Sequence, residues 1–342
     1  MGKNLRAKKL IVIIALLLLG SFAGVSAIYL DLRLYANEPA AKDGIEKLFV
    51  VLSGQDLRTT ARALEKSGLI QHGIKFRLLT QIKGCDKKIR AGEYALSAVM
   101  SPAEILDVLV RGKVFLYKFM VPEGYNLTQI ASLVDLAGFG AREAFIQESS
   151  DTELLQKARI NAETFEGYLF PDTYYFSKNV TPEKIVDAMV RRFWSVFTSV
   201  WRTRAENMGF SIHEVVTLAS IIEKETGVSF ERPLISSVFH NRLQKRMRLE
   251  SDPTVIYGIE NFDGNLTRKH LRTTTPYNTY MMKGLPPGPI ANPGLKSIEA
   301  ALYPADTSFL YFVSKKDGTH QFSTNIKDHN KAVKKYQLRR SK

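Results

Sequence analysis

Cysteine is almost missing: Cys85 is the single one in 342 residues, so no intrachain disulfide can form and the chain must fold on packing alone, with Cys85 expected as a structural thiol. Metal-ligand spacing is missing too. The six histidines, His72, His213, His240, His270, His320 and His329, show no HExxH-like or paired arrangement, so no metal and no cofactor is expected. No zinc-ligand spacing or helix-turn-helix signature accompanies the excess of positive charge, which argues against nucleic acid as the partner. Charge itself is absent from residues 10–30, a run dominated by Leu, Ile, Val and Ala.

That uncharged run is long enough to cross a bilayer core of about 30 Å at about 1.5 Å per residue. Lys3, Arg6, Lys8 and Lys9 precede it, so the positive-inside rule places residues 1–9 in the cytoplasm and the chain after Asp31 outside, a single-pass inner-membrane protein. A cleaved signal peptide, cut after Val25-Ser26-Ala27, is the competing reading, but the run exceeds a usual signal core of about 7–15 residues. No cysteine near its end supports a lipid anchor. The net charge of +14 comes partly from this N-terminus and partly from Lys331, Lys334, Lys335, Arg339, Arg340 and Lys342, and such basicity suits anionic surfaces.

The chain beyond the membrane run is long enough for two domains, and the expected class is α+β. Residues 31–47 mix charge with Pro39 and Gly44 and read as a spacer. Residues 48–115 read as a small mixed module: strands near 49–52 and 91–96, helices at 56–66 and about 76–82, and a helix opened by Ser101-Pro102-Ala103-Glu104 and stopped at Gly112. This unit resembles a LysM-like module, a class that binds glycans containing N-acetylglucosamine, although a plain spacer explains it as well. Residues 117–336 form the larger part, with helices expected at about 128–136, 141–147 and 182–205. The last of these carries Ile185, Met189, Phe193 and Phe197 on one core stripe, strands are expected near 310–313 and 320–322, and residues 337–342 are a basic tail.

The most informative stretch is 215–226. At about 100° per residue Leu218, Ile221, Ile222 and Glu225 share one face, while His213, Thr217, Ser220 and Lys224 form a polar strip. Glu225 continues apolar ground, where a poorly solvated carboxyl holds a proton near neutral pH. Glu223 lies roughly 160° round the helix and cannot share that job. A solvated Glu-Lys-Glu helix end is the bland alternative. Three later loops, at 251–258, 275–280 and 284–294, are rich in Asp, Asn, Thr, Tyr, Pro and Gly, and suit a groove with donors and acceptors for hydroxyl and acetamido groups. An aromatic segment at 165–176 is a further candidate for presenting rings to sugars.

Several motifs in order carry a family resemblance: Leu218-Ala219-Ser220-Ile221-Ile222-Glu223-Lys224-Glu225-Thr226, Ser237-Val238-Phe239-His240-Asn241-Arg242-Leu243, Asp252-Pro253-Thr254-Val255-Ile256-Tyr257-Gly258, Tyr277-Asn278-Thr279-Tyr280 and Gly284-Leu285-Pro286-Pro287-Gly288. Together they resemble the endolytic murein transglycosylases of the YceG type, over residues 49–336. His240 departs from the family by standing where a smaller or more apolar residue is usual. The resemblance implies a lysozyme-like catalytic helix, with the Glu225-Thr226 pair similar to the Glu-Ser pair of lytic transglycosylases and Glu225 as the acid. It also implies cleavage of the bond between N-acetylmuramic acid and N-acetylglucosamine in nascent peptidoglycan to leave 1,6-anhydro ends, which limits strand length beside the membrane-bound synthases. Tyr168, Tyr257, Tyr277, Asn278 and Thr279 are the candidates for glycan contact, with Glu166 and Asp252 as orienting acids. Two rivals stand beside this reading: a hydrolytic muramidase with Asp252 or Glu166 completing a carboxylate pair, and a non-catalytic scaffold binding glycan or synthases.

Overall fold

The computed structural model describes residues 2–338, apart from the side chains of residues 2–7 and 10. Lys3 and Arg6 of the expected cytoplasmic tail, and Arg339, Arg340 and Lys342 of the basic terminus, lie outside the described side chains. The fold is mixed α+β, helices linked to three two-stranded sheets. The chain divides into two units, residues 1–117 with 177–179, and residues 118–176 with 180–342.

In the first unit, α1 (Gly2–Asn37) is followed by β1 (Lys47–Val51), α2 (Leu57–Lys66), α3 (Gly73–Ile82), β2 (Gly92–Leu96) and α4 (Pro102–Arg111). The apolar stretch of α1, residues Ile11–Asn37, has a mean hydropathy of 2.6 and is long enough to cross a membrane. The expected spacer at 31–47 is corrected at its start, because the helix continues to Asn37. Leu32, Tyr35 and Ala36 are buried, and Tyr35 and Ala36 join Phe49, Leu64, Phe76, Tyr94 and Leu109 in one core. A helix whose last turns bury that much apolar surface is stabilised by packing where propensity alone leaves it marginal. β1 and β2 pair antiparallel from Lys47↔Leu96 to Val51↔Gly92. The Ser101–Glu104 capping box opens α4, and Gly112 closes it at φ 68°, as the residue pattern predicts.

The second unit contains β3 (Tyr117–Met120), α5 (Leu127–Leu136), α6 (Arg142–Glu148), α7 (Thr152–Lys157), β4 (Thr173–Phe176), α8 (Pro182–Val196), α9 (Ser199–Asn207), α10 (Ile212–Glu225), α11 (Arg232–Gln244), α12 (Asp252–Tyr257), α13 (Arg268–Arg272), α14 (Leu295–Leu302), β5 (Tyr311–Ser314), β6 (His320–Ser323) and α15 (Ile326–Val333). β3 pairs with β4 and β5 with β6. The single helix expected over 182–205 is two, because Phe197 leaves helical geometry at ψ 76° and drives its ring into the core between Phe193 and Trp201. The stripe of Ile185, Met189, Phe193 and Phe197 is buried nonetheless.

α10 runs through the centre of this unit. The Ser211–Glu214 capping box starts it, and every residue from Val215 to Ile222 is buried. The expected polar strip is therefore corrected: Thr217 and Ser220 are inside. They are tolerated because their hydroxyls are spent locally, Thr217 Oγ1 donating to the His213 carbonyl at 2.7 Å and Ser220 Oγ donating to the Thr217 carbonyl at 2.7 Å while accepting from the Ile290 N–H at 3.0 Å. The last of these bonds fastens the 284–294 loop along the helix.

Candidate functional site

Glu225 is the last helical residue of α10, and Thr226 is already extended at φ −149°, ψ 137°. A helix C-terminus favours cations, so nothing from the helix compensates a carboxylate placed there. The residue keeps partial access to solvent, yet the carboxyl group lies deep enough that burial pushes it up to about 7. The Ser251 hydroxyl opposes that rise, and the negative charge of Asp252 adds to it. Its partner is close, Ser251 Oγ donating to Glu225 Oε1 at 2.5 Å.

Ser251 explains why that contact is fixed. It stands at the N-cap of α12, where a serine hydroxyl ordinarily caps the helix, but no side-chain capping bond forms. The hydroxyl is turned to Glu225 instead. Thr279 Oγ1 accepts from the Ser251 N–H at 3.0 Å and shares a 2.8 Å bond with Thr254 Oγ1, whose hydroxyl lies 2.7 Å from the Ser251 carbonyl. Ser251, Thr254 and Thr279 are all buried. Thus Thr279, expected to touch glycan, instead holds the residue that holds Glu225.

The remaining candidates separate by burial. Asn278 is fully buried, its amide donating to the carbonyls of His270, Leu271 and Thr273 at 3.2, 3.2 and 2.6 Å, which braces the loop. Tyr168 is only 2% exposed, bonded to His213 Nδ1 at 3.0 Å and packed edge-on against Phe193. Its ring therefore packs in the core with its hydroxyl satisfied. Tyr257 and Tyr277 do come together, half-buried, with ring centroids 4.8 Å apart. Asp252 is exposed and accepts from Tyr280 Oη at 2.7 Å.

Glu166 is buried and saturated. The Leu127 N–H reaches its two oxygens at 3.1 and 3.0 Å, Asn292 Nδ2 donates to Oε1 at 3.0 Å and Tyr257 Oη to Oε2 at 3.2 Å. Burial is the main reason that its carboxyl is pushed up to about 7, with these donors pulling the other way. Its bonds tie together the start of α5, the end of α12 and the 284–294 loop, which makes it a hub of the frame. Gly167 beside it, at φ 85°, lets the chain pass where a Cβ would stand 2.5 Å from Pro289 and 2.8 Å from Val216.

Glu223 takes the structural part that its helical position predicts. Its side chain is 7% exposed, pairs with buried Arg232 at 3.2 Å and accepts from the Gly294 N–H at 3.0 Å. Glu123 lies beside it, its carboxyl raised by burial and by the Glu223 charge, and a Cβ at Gly294 would overlap it. After Glu225, Thr226 Oγ1 accepts from the Val228 N–H, and buried Glu231 takes the His320 N–H at 2.8 Å and His320 Nδ1 at 2.7 Å. His240, the departure from the family pattern, is buried with Nε2 against the Ala301 carbonyl at 2.9 Å, away from the Glu225 contact. Sequence reasoning missed Ser251, Arg232, Asn292 and Glu231. Only Ser251 carried a signal, a serine directly before Asp-Pro, and that pattern reads first as a cap.

The family model described as "YceG-like family" matches residues 49–335. A curated protein of Bacillus subtilis named endolytic murein transglycosylase is 34% identical over 316 residues, 87% of each chain. A Streptococcus pneumoniae protein of the same name is 29% identical over 82% of this chain, which spans 56% of that longer relative. Among solved structures, a yceG-like protein of Listeria monocytogenes superposes with a TM-score of 0.59 at 33% identity, covering 84% of this chain and 98% of that one.

Proposed function

The chain belongs to the YceG-like family, and from that premise we propose that it is an endolytic murein transglycosylase whose acid is Glu225. The observation that carries this reading is a single carboxyl raised to about 7 by burial at the end of α10 and held by Ser251. Such a group is protonated often enough near neutral pH to act as an acid and deprotonated readily enough to act next as a base. Glu225 first gives its proton to the oxygen leaving C1 of N-acetylmuramic acid as the β-1,4 bond to N-acetylglucosamine breaks. Its carboxylate then takes the proton of the muramic C6 hydroxyl as O6 bonds to C1. Glu225 ends as it began, no water is consumed, and the product carries a 1,6-anhydro end.

A hydrolase needs a second carboxylate to activate water or attack the sugar, and Glu166 is poorly suited because its oxygens are occupied by four donor contacts. Asp252, exposed and electrostatically coupled to Glu225, keeps the hydrolytic alternative testable. Tyr257 and Tyr277 are the surviving candidates for sugar stacking. The apolar stretch of α1 serves in this reading as a single-pass inner-membrane anchor with the catalytic part outside the cytoplasm. The first unit serves as a LysM-like module, and the partners are nascent peptidoglycan and the synthases that extend it.

Mass spectrometry of the fragments released from uncrosslinked peptidoglycan by the full chain tests the proposal. Anhydro-ended products are expected, and Glu225→Gln is expected to lower turnover by about 10²–10⁴-fold. Reducing-end products overturn the transglycosylase in favour of a hydrolase, and undiminished cleavage by Glu225→Gln overturns the assignment of the acid.

A further inference from the structure

Two faces of α3 differ. Phe76, Leu79 and Thr80 enter the core of the first unit, while Ile74, Leu78 and Ile82 stand outside it at 73, 40 and 61% exposure. Spaced by four residues, these three form one ridge on the helix. Isolated exposed apolar residues are ordinary, but an aligned ridge on a helix is a contact surface. Lys83, Lys87 and Lys88 follow directly and are exposed, which completes the pattern of an interfacial helix: apolar on one side, cationic at its border.

The position of α3 decides what meets the ridge. Tyr35 Oη of α1 donates to the His72 carbonyl at 2.9 Å. Lys75 Nζ pairs with Asp31 at 2.8 Å and lies 5.9 Å from the centre of the Tyr35 ring. These contacts place the start of α3 beside residues 31–35 of α1, at the outer end of the apolar run that precedes Asp31. With α1 as a span, a helix that starts at the outer end of that run stands at the level of the lipid headgroups, which gives its exposed ridge a lipid surface to meet.

We infer that α3 rests on the bilayer surface, with Ile74, Leu78 and Ile82 at the boundary between headgroups and acyl chains and Lys83, Lys87 and Lys88 against lipid phosphates. This inference depends on α1 being a membrane span. A sugar chain fits the ridge poorly, because Ile and Leu offer no hydrogen bonds to hydroxyl groups. With lipid beneath it, α3 fixes the tilt of the first unit against the membrane in addition to the tether through α1.

The test uses the full chain in vesicles of phosphatidylethanolamine and phosphatidylglycerol. Cys85 is replaced by Ser, which can keep the 3.3 Å bond to the Lys83 carbonyl, and an environment-sensitive fluorophore is attached at Leu78→Cys, Ile82→Cys or Phe22→Cys. Lipids carrying a nitroxide near the headgroup are the quencher. The inference expects loss of emission at positions 78 and 82, together with protection from aqueous iodide. Quenching at 22 by mid-chain nitroxides with none at 78 and 82 overturns the inference while leaving the anchor intact, and leaves the ridge to a protein partner. A water-exposed fluorophore at 22 overturns the anchor and the inference together.

Discussion

Two glutamates two residues apart in one helix meet opposite fates, and the difference lies in what faces each. Glu223 finds Arg232 and the Gly294 N–H and is ion-paired in place, whereas Glu225 finds the Ser251 hydroxyl and, among the described residues, no ion-pair partner. Glu223→Ala is expected to cost about 3–5 kcal/mol in denaturant unfolding, because it leaves the buried Arg232 without its partner. Ser251→Ala is expected to act on chemistry instead. The Ser251 bond stabilises the carboxylate and lowers the Glu225 pKa, so removing it raises that pKa and moves the alkaline limb of the pH–rate profile upward from about 7, while kcat falls about tenfold through lost positioning. An unmoved limb in a folded variant would remove Ser251 from the site. That Glu225 continues the apolar face of its helix was legible in the sequence, because helical spacing alone places it there. The role of Ser251 was not, since a serine before Asp-Pro satisfies a capping rule that the folded chain does not use.

At the scale of elements, α10 and the 284–294 loop form the frame. Ser220, His213 and Leu169 hold the loop: Ser220 Oγ accepts the Ile290 N–H, His213 Nε2 meets the Pro287 carbonyl at 2.8 Å, and the Leu169 N–H donates to Asn292 Oδ1 at 2.8 Å. Gly167 is where the aromatic segment passes between this loop and α10. Gly167→Ala combines a positive φ with overlap against Pro289 and Val216, and is expected to destabilise the protein by about 2 kcal/mol or more, seen as a lower urea midpoint with unchanged slope. The helix opened at Ser101 followed from its capping box, as expected. The break at Phe197 and the burial of Thr217 and Ser220 did not, because both depend on what packs around them. The spacing that reads as a solvated strip reads identically when another loop covers it.

Across the whole molecule, the raised carboxyls give stability a direction in pH. Glu166 and Glu225 both titrate near 7 in the fold, above an ordinary value of 4.5. The folded state therefore binds these protons more tightly, and their contribution is fully present below about 4.5 and is lost as pH rises through about 7. Glu225→Gln removes the titration, so its melting temperature is expected to exceed the wild type's at pH 8 by the equivalent of about 2 kcal/mol, after allowing for partial solvent access, and to match it near pH 5. Thermal scans at the two pH values check this, and equal shifts at both would mean that burial of the charge is not what sets the pKa. By itself the sequence determined the apolar span of α1, the α+β class, the family and the existence of helix α10, because each is written in local period, composition or an ordered run of motifs. Tertiary structure alone decided which polar residues support Glu225 and which only brace the loops, and that α1 continues as a helix into the core of the first unit. The bonds that decide them include Ser251 to Glu225, 26 residues apart, and Asn292 to Glu166, 126 apart, which no local pattern records.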